Sequence, residues 1–191
     1  MKRIVQGAVL TELSPEDCRD TEYQDCDFSA CRLAGARFEN CAFLDCRFLR
    51  CQWSTVTFSF CLMREAVMEN CGFRSIAWGG LQGRSALVQP FARLAGCAFQ
   101  YCDFSGMALN GFDFSSCQFR ESVFDDCKLV GASFQGAPLG RTSFTRCDLR
   151  KADFRGAESY AIDPAANQLK EAQFTFPEVV ALLEGTGIRI E

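Results

Sequence analysis

The 191 residues contain no histidine, no C-x-x-C pair, no phosphate-binding glycine motif and no apolar run long enough to span a membrane. Without histidine there is no Ser-His or Cys-His pair to activate a nucleophile. Without C-x-x-C the thirteen cysteines lack the usual zinc-knuckle spacing, and no imidazole is available to complete a site. Neither GxxxxGK[ST] nor GxGxxG occurs, so no nucleotide cradle is indicated. A transmembrane helix needs about 20 consecutive apolar residues, which excludes a helical span. Basic charge is also in deficit. The formal net charge of −4 argues against direct nucleic-acid binding, which needs a basic footprint. The N-terminal Met1-Lys2-Arg3-Ile4-Val5 begins as a signal peptide would, but the apolar run stops at Leu10 and gives way to Glu12, Glu16 and Asp17. No secretory signal is therefore expected. Many unpaired thiols imply a reducing compartment, and a cytoplasmic location is expected.

What is abundant is phenylalanine, at 19 residues, together with cysteine. Both fall on one internal period. Every fifth residue from Tyr23 to Trp78 is large and apolar: Tyr23, Phe28, Leu33, Phe38, Phe43, Phe48, Trp53, Phe58, Met63, Met68, Phe73 and Trp78. From Leu94 to Phe154 every fifth residue is Leu or Phe. Two residues before each lies a small or otherwise apolar side chain, and twelve of the thirteen cysteines share that phase, Cys18 alone departing from it. The cysteine count thus follows from the repeat, with thiols acting as small buried hydrophobes.

A period of five fits neither an α-helix at 3.6 nor a strand at 2. It requires a chain that turns a corner every five residues, so that four sides close a coil of about twenty. Large and small phases point inward; the remaining positions face water. Residues twenty apart then stack, predicting the columns Phe104–Phe124–Phe144, Phe114–Phe134–Phe154, Leu109–Leu129–Leu149 and a thiol ladder Cys31–Cys51–Cys71. Cys18 fits the large phase of an N-terminal coil and is expected in the core.

The units Cys26-Asp27-Phe28, Cys102-Asp103-Phe104, Cys147-Asp148-Leu149 and Ala152-Asp153-Phe154 resemble the small–polar–Leu/Phe–x–x motif of the pentapeptide-repeat family. The resemblance implies an all-β fold, a right-handed quadrilateral parallel β-helix over residues 1–157 with a C-terminal helix cap. The cap is placed at 158–191. Thr175 and Pro177 open a short helix over about 176–184, and Ile188-Arg189-Ile190 reads as a strand. This ending resembles the C-terminal module of Qnr-type quinolone-resistance proteins. That likeness implies a homodimer joined through Phe176, Val179, Val180, Leu183, Ile188 and Ile190; a monomeric cap is the alternative.

The repeat is interrupted over 79–93, where three glycines and a proline mark irregular backbone. Either one residue bulges from an intact coil or a longer loop leaves the tube, and a loop would present Gly80, Arg84 and Gln89. On the coil's outer surface Asp25, Asp45 and Glu65 stack on one side. If the interruption adds one residue, that side continues through Asp103, Asp125 and Asp126. Like charges on adjacent strands are unfavourable, so this acidic stripe is either an ordinary solvated face or a functional surface.

No catalytic, cofactor-binding or metal-binding residue is expected, and the chain reads as a non-enzymatic interaction protein. Some members of the resembled family bind DNA gyrase or topoisomerase IV and protect them from quinolones or toxins. The resemblance therefore implies a protein partner, such as a type II topoisomerase, met by DNA-like shape and charge. A general interaction scaffold with another partner is the alternative. Neither nucleic acid nor membrane is expected to bind directly.

Overall fold

The computed structural model describes residues 2–81 and 90–183, and the chain divides into two compact units, Met1–Asp103 and Phe104–Glu191. Each is a parallel β-solenoid, nearly all-β.

In the first unit the chain visits four sides in turn. The first side stacks β1 (Arg3–Gln6), β3 (Thr21–Gln24), β7 (Ala42–Leu44) and β11 (Leu62–Arg64). The second stacks β2 (Val9–Leu10), β4 (Asp27–Ser29), β8 (Arg47–Leu49), β12 (Ala66–Glu69) and β14 (Phe91–Ala95). The third stacks β5 (Arg32–Ala34), β9 (Gln52–Ser54), β13 (Gly72–Arg74) and β15 (Ala98–Gln100). The fourth holds β6 (Arg37–Glu39), β10 (Thr57–Ser59) and a 3-10 turn at Trp78–Gly80. Pairing is parallel and places residues twenty apart opposite each other, as in Tyr23↔Phe43 and Phe43↔Met63.

The expected side-chain phases hold. Phe28 stacks on Phe48 at 4.6 Å between ring centroids, and Tyr23 stacks on Phe43 at 5.3 Å. Rings on neighbouring sides meet edge-on, as for Phe48 and Trp53 at an interplanar angle of 90°. Stacked contacts along the axis and edge contacts across it are the two favoured aromatic geometries, so a tube filled with Phe satisfies both at once. Cys18 is buried, and Glu39 N–H donates to its carbonyl, which places it in the coil beneath Phe38 as expected. The thiol ladder Cys31–Cys51–Cys71 forms, and Cys51 N–H donates to the Cys71 sulfur at 3.3 Å.

Turning a corner every five residues makes a backbone demand that the side-chain pattern does not display. On most sides one residue adopts positive φ, including Asp25 (51°), Asn40 (52°), Asp45 (57°), Glu65 (52°) and Asn70 (53°). Asp and Asn tolerate this left-handed region better than other non-glycine residues. Many corner carboxylates and amides therefore have a backbone reason to be there.

The interruption is longer than a one-residue bulge. Met68 pairs with Leu94 and Phe73 with Phe99, twenty-six residues on instead of twenty, with a register shift between Ala66 and Val67. Six residues are added, not one. Gly80 ends the 3-10 turn, and Arg84 and Gln89 lie outside the described residues.

The second unit contains β16 (Gln118–Arg120), β17 (Val123–Asp125), β18 (Pro138–Thr145) and β19 (Glu158–Ile162), with single bridges such as Ala108↔Lys128 and Asp113↔Ser133 on the remaining sides. The predicted columns are present. Phe104, Phe124 and Phe144 stack at 4.6 and 4.9 Å, and Phe114, Phe134 and Phe154 at 4.8 and 4.9 Å. The column continues to Phe174, 5.3 Å from Phe154, so coil pairing extends past 157. Phase is broken between, where Phe144 pairs with Ile162 at a separation of eighteen, and it is regained at Asp148↔Gln168.

The expected terminal helix is a 3-10 segment, Glu178–Leu183. Thr175 does not cap it by side chain; its Oγ1 instead accepts from the N–H of Gly156 at 2.8 Å, tying the segment to the preceding coil. Ile188 and Ile190 lie outside the described residues.

Several corners of this unit are type II turns, which need positive φ at their third residue and favour glycine there. Gly131 (φ 67°), Gly136 (68°) and Gly156 (69°) fill that place, each followed by an i+3 to i hydrogen bond of 3.0 Å. Lys151 (φ 61°) holds the same place between Leu149 and Ala152, whose backbone bond is also 3.0 Å. Among the described residues its one ion pair, to Glu171 at 3.9 Å, is exposed on both sides and contributes little. Lys151→Gly should therefore stabilise the protein by about 1 kcal/mol, the left-handed penalty less the added unfolded-state entropy. A rise in midpoint of ~2–4 °C in a thermal melt is the expected reading.

All thirteen cysteines are free and buried. Burial pushes the Cys46 thiol up to about 12 and those of Cys18 and Cys102 to about 11. Since the thiolate is the reactive form, these thiols should react with a disulfide reagent at pH 8 many times more slowly in the native protein than in denaturant. Stopped-flow thiol titration checks this, and fast native reaction of most thiols would contradict the packing.

Candidate protein-interaction surfaces

In both units the tube interior is occupied by side chains, so chemistry is confined to outward positions, corners and edges. Among the described residues no three His, Cys, Asp or Glu side chains come together as a metal site, and no helix is long and apolar enough to cross a membrane.

The acidic corner of the first unit is real over three coils. Asp25, Asp45 and Glu65 are exposed and follow β3, β7 and β11, whose residues pair in register. Neighbouring coils are about 4.8 Å apart, so the carboxylates recur at that interval. Asp45 is bonded by Arg64 at 2.6 Å, whereas Asp25 and Glu65 make no ion pair within the described residues. The next corner carries Asp20 and Asn40, joined by a 2.6 Å bond from Nδ2 to Oδ1, and then Phe60, which is 73% exposed at φ 54°.

Asp103 does not continue this column. It pairs with Ala77, on the side of Thr57 and Arg37, because the six added residues shift the chain by one whole side beyond a one-residue bulge. In the second unit Asp125 is bound by Arg146 and half-buried, while Asp126 is an exposed corner residue at φ 53°. The two acids are sequential and occupy different positions, one on a side and one at a corner. Elsewhere on this unit Arg150 and Arg155 each clasp the aspartate two residues earlier, Asp148 at 2.6 Å and Asp153 at 2.7 Å. Those guanidinium contacts hold both carboxyls below the usual range.

At the end of the second unit, Phe176 is 82% exposed and Leu183 36%, with Val179 and Val180 half-buried. These apolar groups are brought to one short segment, as the sequence suggests. A feature that periodicity alone missed lies at the start of the first unit, where residues 11–18 form no strand, with a turn at 15–18, and leave one edge of β5 open. The dense signal of Ser14, Pro15, Glu16 and Asp17 marks the break, but not which side it leaves uncovered.

The family model of the pentapeptide repeat region matches residues 92–174. No curated protein matches the chain by sequence. Among solved structures, a trypsin-treated variant of QnrB1, a plasmid-mediated fluoroquinolone resistance protein, superposes with a TM-score of 0.51 at 17% identity, covering 100% of this chain and 98% of that one. HetL, involved in heterocyst differentiation regulation in the cyanobacterium Nostoc sp. strain PCC 7120, gives 0.38 at 15% identity over 88% of this chain and 81% of its own. A thylakoid-lumen protein of Arabidopsis thaliana is 32% identical over 37% of this chain and 56% of its own, at a TM-score of 0.28. With five-residue sides, twenty-residue pairing and a matching region over residues 92–174, the chain carries a pentapeptide-repeat region.

Proposed function

We propose that the protein is a non-enzymatic interaction module whose acidic corner engages a basic protein surface, the DNA-binding region of a type II topoisomerase such as gyrase being the partner of choice. The observation that carries this reading is the ladder Asp25–Asp45–Glu65, in which two of three carboxylates have no cation of their own within the described residues. A carboxylate every ~4.8 Å is comparable with one phosphate per 3.4 Å along a single DNA strand. A surface that binds phosphates would meet these groups with lysine and arginine already in place. The likeness in fold to QnrB1, described as a fluoroquinolone resistance protein, supports this choice of partner. The filled interior and the buried thiols favour binding over catalysis, because a substrate needs a cavity and a nucleophile needs exposure.

Micromolar protein is expected to alter supercoiling by gyrase or to relieve its inhibition by ciprofloxacin. The effect should fall steeply with added salt, as for any interface built on solvated charges. Reversing Asp25 and Glu65 to lysine together should weaken it about tenfold or more, since like charge would then face the basic partner. No change in supercoiling and none in drug sensitivity would overturn the choice of partner.

The same proposal includes a homodimer through the end of the second unit, since exposed Phe176 and Leu183 beside Val179 and Val180 form an apolar patch of the kind that marks interfaces. Sedimentation velocity should give a dimer for the unaltered chain and a monomer for the Phe176→Glu, Leu183→Glu double variant. A monomeric unaltered chain at tens of micromolar would contradict it.

A further inference from the structure

The first coil of the first unit is incomplete on one side only. β1 covers β3, β2 covers β4, and the Arg19↔Glu39 bridge covers β6. Among the described residues the third side has no strand in that coil, and β5 stands at the end of its sheet with β9 as its one neighbour there. In a parallel ladder the N–H and C=O of one residue face the same neighbour, and successive residues alternate. The Cys31 carbonyl accepts from Gln52 and the Gly35 N–H donates to Ser54, both at 2.9 Å. Residues 31, 33 and 35 thus serve β9, and the N–H and C=O of Arg32 and Ala34 face outward along the open edge.

Beside this edge lies a concavity of about 540 Å³, walled on one flank by Leu13, Ser14 and Pro15 of the N-terminal turn and on the other by β5 and its following corner. Arg19, Arg32 and Arg37 line it, against one carboxylate, Glu16. Arg32 and Arg37 are exposed and make no ion pair within the described residues, while Arg19 reaches Glu39 only at 4.0 Å. The buried flank of Cys18 and Leu33 adds an apolar floor.

We infer that the β5 edge is a docking slot for an extended acidic peptide of another protein, added as the strand that the first coil lacks on this side. Free backbone donors and acceptors at alternate residues select an extended chain. The unmatched guanidinium groups select carboxylate side chains, which arginine can grip in bidentate fashion. The apolar floor accepts the alternate side chains that point the other way. This site is separate from the acidic corner and its reading does not depend on the identity of the topoisomerase.

The test uses the full chain and a fluorescein-labelled nonapeptide of alternating Glu and Val, followed by anisotropy. Saturable binding at micromolar concentration is expected, with the Lys-Val counterpart showing none. A Glu-Val peptide N-methylated at the residues that would bond to Arg32 and Ala34 keeps its charge but loses its hydrogen bonds, and should bind at least tenfold more weakly. The Arg32→Glu, Arg37→Glu variant, verified as folded by circular dichroism, should lose a similar factor. Equal binding of the methylated and unmethylated peptides would show charge attraction alone and overturn strand addition. So would absence of saturable binding, or self-association of the unaltered chain that the arginine reversal abolishes, which would assign the edge to a second copy.

Discussion

In-register stacking of inward side chains is the interaction on which everything else in each unit depends. A single coil of twenty residues encloses no core of its own; its Phe, Leu and Cys side chains become buried only when the next coil lies on them. Phe124 illustrates this, held between Phe104 and Phe144 along the axis and met edge-on by Phe134 at an interplanar angle of 83°. The backbone bonds run between coils in the same direction as the ring stacks, so a local change of register would break both together. This coupling accounts for the return to phase at Gln168 and Phe174 after the shortened stretch before them.

The second constraint is the corner. A chain that bends every five residues needs left-handed backbone at most of its bends, and that demand selects Gly, Asn and Asp independently of any partner. The acidic ladder must be judged with this in mind. Asp25 and Asp45 sit where aspartate suits the backbone, but Glu65 does not share that advantage, and Phe60 and Lys151 share it still less. Corners where a bulky or long side chain persists at positive φ without a firm contact carry a backbone cost with no local return. They are better pointers to selected surface than the aspartates are.

The repeat, the inward columns, the burial of cysteine and the position of Cys18 could all be read from a period of five. Which side a residue occupies after the interruption could not. One added residue and six added residues differ by five, one whole side, so both preserve the alternation of large and small positions. The phase of Leu94 and its successors was therefore right whichever applied, while the column of Asp103 was not. Register is decided by which backbone groups meet between coils, as when Ala77 meets Asp103, and a count along the chain carries no trace of that choice. The same limit explains Thr175. Its local context reads as a helix cap, but its hydroxyl is taken by the N–H of Gly156, nineteen residues earlier.

A filled tube restricts where recognition can occur. The sides offer flat strands with their hydrogen bonds already used, so affinity there must come from side chains alone. An uncovered edge is different, because its amides are unsatisfied and directional, and exposed edges are usually blunted by charge, by proline or by a covering segment. At β5 the turn carrying Pro15 stands back far enough to leave a concavity, and the charges that would blunt the edge are of a single sign except for Glu16. Positive charge repels a second basic strand but attracts an acidic one. The features that protect this edge against indiscriminate pairing are therefore the same ones that specify what can pair with it.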